Sequence, residues 1–167
     1  MLLLGQEWLS GKENHQSWSF VFENCLRNHA FTQDILAKGI GWVLSNEDRQ
    51  ETPGIAFEIA NYYNKIVPNE RHKLHEWIRN WVYKSHPKNK GWSYGWAAYW
   101  KIMPTIETVN LALKWIEVNP ENVNGSRWII QTLLREERPD INFRLQKWFE
   151  RYPNHPISET IKEKLQS

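Results

Sequence analysis

Five tryptophans set the rhythm of this chain. Trp8, Trp42, Trp81, Trp115 and Trp148 are separated by 34, 39, 34 and 33 residues, and Pro87, Pro120 and Pro153 by 33 and 33. The phrase around Trp115 and Pro120, K-W-I-E-V-N-P, returns as K-W-F-E-R-Y-P around Trp148 and Pro153. A second anchor follows each Trp in the same order: Trp18, Ile55, Trp92, Trp128 and Ile161. Two sets of marks in one phase point to an internal repeat, and a period of 33–39 residues is that of stacked helical hairpins. A single hairpin of that size cannot bury its own apolar face, so neighbouring units must supply the core.

Each unit reads as two helices, A and B. In the A segment at Trp92, apolar residues fall at Trp92, Trp96, Tyr99 and Trp100, one face of a 3.6-residue period. The A helices begin near Trp18, Ile55, Trp92 and Trp128, with a last one near Ser158. The B helices cover Thr32–Ser45, Asn69–Ser85, Thr105–Val118 and Asp140–Arg151, preceded by part of one at Met1–Leu9. Pro68, Pro104 and Pro139 stand where the chain leaves an A helix, with Asn69, Thr105 and Asp140 placed to cap the next. Thr52-Pro53 reads as a cap followed by Pro at the first helical position. Polar stretches at Gly11–Asn14, Asn46–Pro53, His86–Gly91, Asn119–Ser126 and Pro153–Pro156 read as the B-to-A loops.

Three residues before each B-helix Trp stand Gly5, Gly39, Ile78, Ala112 and Leu145; the small ones allow a neighbouring helix to approach closely. The expected fold is all-α, a right-handed α-solenoid of about four and a half helix-turn-helix repeats, with a compact helical bundle as the alternative. Residues 1–167 are expected to form a single repeat domain. Because Met1–Leu9 matches only the second half of a B helix, the chain is expected to be the C-terminal portion of a longer protein. Its last helix reads as a cap, with Ile157, Ile161 and Leu165 on one face.

Ala112–Pro120 resembles the end of helix B in tetratricopeptide-like repeats, where an apolar residue and Pro close the unit. Two departures stand out: Trp115 and Trp148 replace the usual small residue, and helix A lacks the Trp-Leu-Gly-Tyr pattern. The run W-I-E-V-N-P-E-N followed by W-I-I-Q-T-L-L is similar to the Trp-rich repeats that end many bacterial NACHT- and STAND-type proteins. That resemblance implies a sensor or interaction module following a nucleotide-binding core. The sequence contains no G-x-x-x-x-G-K-[ST] phosphate loop, so such a core would lie outside this chain.

No catalytic motif stands out, and neither an enzyme activity nor a cofactor is expected. His72, His75 and Glu76 share a helix face, but the His-Glu-x-x-His order and any Cys partner are missing, so no metal is expected there. Glu136, Glu137 and Asp140 alternate with Arg135 and Arg138 at an A-to-B turn, which is the pattern of a solvated salt-laced surface. Cys25 falls in phase with Tyr62 and Tyr99 and reads as a small core residue. As the only cysteine, it excludes an internal disulfide and fits a reducing compartment. Asn124-Gly125-Ser126 reads as a loop turn. Met1-Leu2-Leu3-Leu4 is too short for a signal peptide, and no segment approaches the length of a spanning helix, so a cytoplasmic protein without membrane contact is expected.

The expected function is a non-catalytic scaffold that binds a protein or peptide through a groove built by the repeats. In tetratricopeptide-like solenoids the A helices line the concave side. Here Asn24, Asn61 and Ala98 recur in phase, as do Arg27, Asn64 and Lys101, with Tyr62, Tyr63 and Tyr94 nearby. Amide, cationic and Tyr side chains suit recognition of a protein surface, and the plain alternative is that they are ordinary solvent-facing residues. Nucleic acid is the second partner class, since aromatics beside Arg and Lys can stack bases. Against it stand a net charge of only +2 and the lack of a repeating pair of reading residues. A helical-repeat enzyme such as a DNA glycosylase would need an acid and an aromatic pocket, and neither is visible.

Overall fold

Apolar residues at helical spacing, punctuated by Pro and Asn, produce an all-α chain. The computed structural model describes residues 2–28 and 32–165. Among these there are ten α-helices and no strand: α1 Leu2–Leu9, α2 Trp18–Arg27, α3 Gln33–Ser45, α4 Thr52–Ala60, α5 Pro68–Lys84, α6 Trp92–Ile102, α7 Ile106–Val118, α8 Val123–Leu134, α9 Pro139–Arg151 and α10 Ser158–Leu165. A single 3-10 turn, Tyr63–Lys65, follows α4. The expected start at Met1 and the side chain of Leu165 lie outside what is described.

Helix starts follow local chemistry, with some corrections to the sequence reading. Thr32 and Thr105 accept from the backbone N–H groups of Ile35 and Thr108, at 3.2 and 3.4 Å. Asn69 and Asp140 do not occupy the cap positions, which belong to Val67 and Arg138. α5 and α9 instead open on Pro68 and Pro139, whose missing N–H is no loss in the first turn. Thr52 is buried and donates its hydroxyl to the Asn46 carbonyl, so it ties down the preceding loop rather than accepting as a cap. α8 begins at Val123, five residues before Trp128, because the Asn122 carboxamide accepts the Gly125 N–H at 3.1 Å. Asn124-Gly125-Ser126 is therefore the first turn of a helix and not a loop.

The backbone gathers into two units. One comprises the described residues up to Ser85 together with Lys90–Ile102; the other holds His86–Asn89 and the residues from Met103 onward. In the first unit α4 lies between α2 and α6, while α3 packs on both α4 and α5. Trp18, Phe22, Ile40, Ile55, Ile59, Leu74, Ile78 and Trp96 fill its core with no solvent exposure. The absent Cβ of Gly39 is what lets Phe22 lie against α3: an added Cβ would stand 2.2 Å from the Phe22 ring. Gly95 makes the same room for Trp81, at 2.4 Å. In the second unit α7 packs on α9 and α8 on α10, around Val109, Ala112, Ile116, Ile129, Leu133, Leu145 and Ile161.

Trp18, Trp42, Trp92 and Trp115 are tied by their indole N–H groups, as buried indoles favour, whereas the buried Trp77 N–H has no hydrogen-bond partner among the described residues. At the start of α2, Trp18 donates to the Leu9 carbonyl at 3.1 Å; at the start of α6, Trp92 donates to Val82 at 3.2 Å. Trp42 donates to the Glu13 carbonyl and Trp115 to that of Pro87, each in the loop after an earlier B-type helix. Beyond those two helices, Asn46 and Asn119 donate their carboxamides back to the Trp42 and Trp115 carbonyls, both at 2.8 Å. The residue seven places after four of the B-helix Trp residues sits on or beside the indole. His15 and His155 meet Trp8 and Trp148 edge-on at 5.1 Å, the Arg49 guanidinium lies 5.7 Å over Trp42, and Asn122 shares Gly125 with Trp115.

Candidate functional site

The outward side of α2, α4 and α6 gathers most of the residues singled out from the sequence. α4 is the middle member, so its exposed side chains touch both neighbours. The Arg27 guanidinium on α2 stands 3.4 Å from the Glu23 carboxylate one turn back and 3.3 Å from Glu58 on α4. Glu58 also accepts from the Asn61 carboxamide at 3.4 Å. Partial burial pushes the Glu23 carboxyl above the ordinary glutamate range; Arg27 opposes that shift and the Glu58 charge adds to it. One exposed cation thus serves two half-buried carboxylates. Exposed pairs of this type contribute little to stability, which leaves them available for other contacts.

On the other flank of α4, Phe57 forms the centre of an aromatic and cationic cluster. The Lys101 ammonium lies 5.4 Å over its ring, and the Tyr94 ring meets it edge-on at 6.2 Å, both from α6. Tyr94 is 48% exposed, and Phe20 on α2 is 69% exposed. Large exposed aromatics beside a charged cluster are what protein interfaces use as anchors.

Not every expected residue joins this face as a free contact group. The Asn24 carboxamide turns back to the Phe20 carbonyl at 2.8 Å. The Tyr62 hydroxyl donates to the Leu26 carbonyl at 2.9 Å, which makes it a tie between the ends of α2 and α4. Asn64 is exposed but lies in the 3-10 turn beyond α4, out of helical phase with Arg27 and Lys101. Tyr63 is covered by the Arg71 guanidinium at 5.7 Å, and Ala98 is fully buried. Three contributors were missed from the sequence: Glu23, Phe57 and Glu58. Of these only Glu23 carried a readable signal, its i,i+4 spacing from Arg27.

The remaining candidates resolve into structural roles. His75 stacks on Tyr99 with ring centres 6.1 Å apart, between α5 and α6. Among the described residues, no group of three His, Cys, Asp or Glu side chains is placed to hold a metal ion. Arg138 grips both Asp140 carboxylate oxygens, at 3.1 and 2.7 Å, and donates to the Pro104 carbonyl at 2.7 Å. Its hydrogen bonds hold the Asp140 carboxyl below the usual range, which is the opposite of a general acid. Cys25 is buried, and burial raises its thiol away from a reactive thiolate. Among the described residues no helix is long and apolar enough to cross a membrane. The chain matches no protein-family model, no curated protein and no solved structure.

Proposed function

We propose that this chain is a non-catalytic scaffold, a right-handed α-solenoid of helical repeats that binds a protein partner across the outward side of α2, α4 and α6. The observation that carries this reading is the continuous set of charged, amide and aromatic side chains on three consecutive A-type helices, with Glu58, Asn61 and Phe57 of α4 at its centre. Recurrence of the indole and asparagine ties supports the repeat reading: Trp18 and Trp92 stand 74 residues apart, Trp42 and Trp115 73 apart, and Asn46 and Asn119 73 apart. On the likeness to the Trp-rich repeats of NACHT- and STAND-type proteins, the partner is a trigger molecule in the cytoplasm, and its capture is relayed to a nucleotide-binding region elsewhere.

The test is retention of partners from source-cell extract on the immobilised chain, with and without nuclease, read by mass spectrometry. Tyr94→Ala with Lys101→Glu removes the anchor and reverses the charge beside it while leaving the Tyr62 tie intact. A protein held after nuclease by the unaltered chain, and lost by this variant at unchanged helicity, supports the scaffold and its face. Retention of nucleic acid alone, released by nuclease, replaces the reading with the nucleic-acid one.

A further inference from the structure

A second surface lies wholly within the other unit. α7 and α9 leave between them an open cleft of about 270 Å³, lined by Lys114 of α7 and by Arg144, Lys147 and Arg151 of α9. Its one carboxylate, Glu117, is engaged by the Trp148 indole N–H at 3.0 Å. Lys147 is paired with Glu150 at 3.0 Å. Lys114, Arg144 and Arg151 have no carboxylate within salt-bridge distance among the described residues. Three cations without a salt-bridge partner, on a cleft whose lining holds the single carboxylate Glu117, leave an excess of positive charge complementary to an anion, in a chain whose overall charge is only +2.

The cleft favours an acidic peptide over a nucleic acid. Strand-binding grooves add aromatic platforms on which bases stack. Here the Trp148 indole is 5% exposed, with Tyr152 and His155 each 5.1 Å away, and Tyr152 itself carries the Arg151 guanidinium at 5.2 Å. Of the rings that line the cleft, Trp148 is nearly closed off and Tyr152 is flanked by Trp148 and Arg151, while the exposed Phe143 ring of α9 lies outside the lining and carries the Lys147 ammonium at 5.7 Å. The spacing suits a peptide: Arg144 to Arg151 spans two helical turns, about 10 Å of axis at ~1.5 Å per residue. An extended strand presents same-side residues every ~6.8 Å, so two or three alternate carboxylates cover that stripe. We infer that the α7–α9 cleft is a docking site for an extended acidic segment of a partner protein. This site shares no residue with the α2–α4–α6 face and does not depend on it.

The probe is a fluorescein-labelled decapeptide alternating Glu and Ser, followed by anisotropy at low salt against the whole chain. Its Gln–Ser counterpart is expected to bind at least tenfold more weakly. That comparison uses the unaltered protein, so it stands whatever the stability of any variant. Arg144→Glu with Arg151→Glu is expected to weaken the Glu peptide at least tenfold. Arg127→Glu with Arg135→Glu, the same charge change at exposed positions of α8 and its end, is expected to change it less than threefold. The inference is overturned if the Glu peptide does not bind, if the Gln peptide binds equally, or if both double variants lose affinity alike. Tighter binding of a ten-nucleotide oligothymidylate than of the Glu peptide overturns it in favour of nucleic acid.

Discussion

At the scale of single residues, a tight constraint lies in the space above Gly39, where an added Cβ would stand 2.2 Å from the Phe22 ring. Gly39 and Gly41 stand two positions apart in α3, yet they answer opposite demands. A Cβ on Gly39 collides with the Phe22 ring, whereas one on Gly41 meets nothing within 4 Å. Gly39→Ala is expected to destabilise by about 1–3 kcal/mol through overpacking. Gly41→Ala is expected to stabilise by about 0.5–1 kcal/mol, since Ala is the better helix former. Urea unfolding at unchanged m-value separates the two, and equal effects would remove Gly39 from its assigned role. The sequence already hinted at this contrast, because Gly39 holds the small position three before Trp42. It carried no hint that the ring laid upon it belongs to Phe22.

A second residue-scale effect belongs to His155. Burial lowers its pKa below the ordinary 6.5, outweighing the nearby Glu117 carboxylate that favours the cation. On acidification the unfolded chain takes up this proton near pH 6.5, while the folded one does so only at lower pH. Between those two values the unfolded state binds more protons, so stability falls as pH drops through that window. The drop in melting temperature between pH 7.5 and 5.5 is expected to shrink in His155→Gln. An unchanged drop would assign the acid sensitivity to other groups.

At the scale of elements, helix ends are where sequence reading and structure part. The run of B-type helices was legible to within a residue or two, because Thr32, Thr105, Pro68 and Pro139 are strong local signals. α8 was placed five residues late because Asn122 looked like one more loop residue after Pro120, when its carboxamide in fact starts the helix. The paired asparagines that close α3 and α7 were equally hidden, since their role depends on a buried carbonyl. Asn119 is 2% exposed and serves the Trp115 carbonyl, whereas Asn46 is only partly buried beyond Trp42. Asn119→Ala is expected to cost about 1–3 kcal/mol, the penalty of a stranded buried carbonyl, and Asn46→Ala less. Reversal of that order in denaturant titrations would break the link between the cost and burial. The candidate face shows the same division: Lys101 was singled out by its phase with Arg27 and Tyr94 by lying near the phased residues, but Phe57 and Glu58 became contact groups only once α4 lay between α2 and α6.

At the scale of the whole molecule, burial is distributed unevenly, and local stability must follow it. In α6 every residue from Gly95 to Trp100 is buried, as are Trp92 and Ser93, so its amides open only with the core of their unit. In the other unit α7 has Thr108, Val109, Ala112, Leu113, Trp115 and Ile116 buried along one helix. The Tyr63–Lys65 turn has no buried residue, and its end of α4 is held to α2 through the Tyr62 hydroxyl. Amide hydrogen exchange read by mass spectrometry should therefore be slowest in α6 and α7 and fast in the turn. Tyr62→Phe removes that hydroxyl while keeping the ring, and it should speed exchange at the Tyr63–Lys65 turn and the end of α4 without moving α7. A uniform acceleration across both units would mean that the chain opens as one body, and the tie would then be part of a global core and not a local latch beside the α2–α4–α6 face.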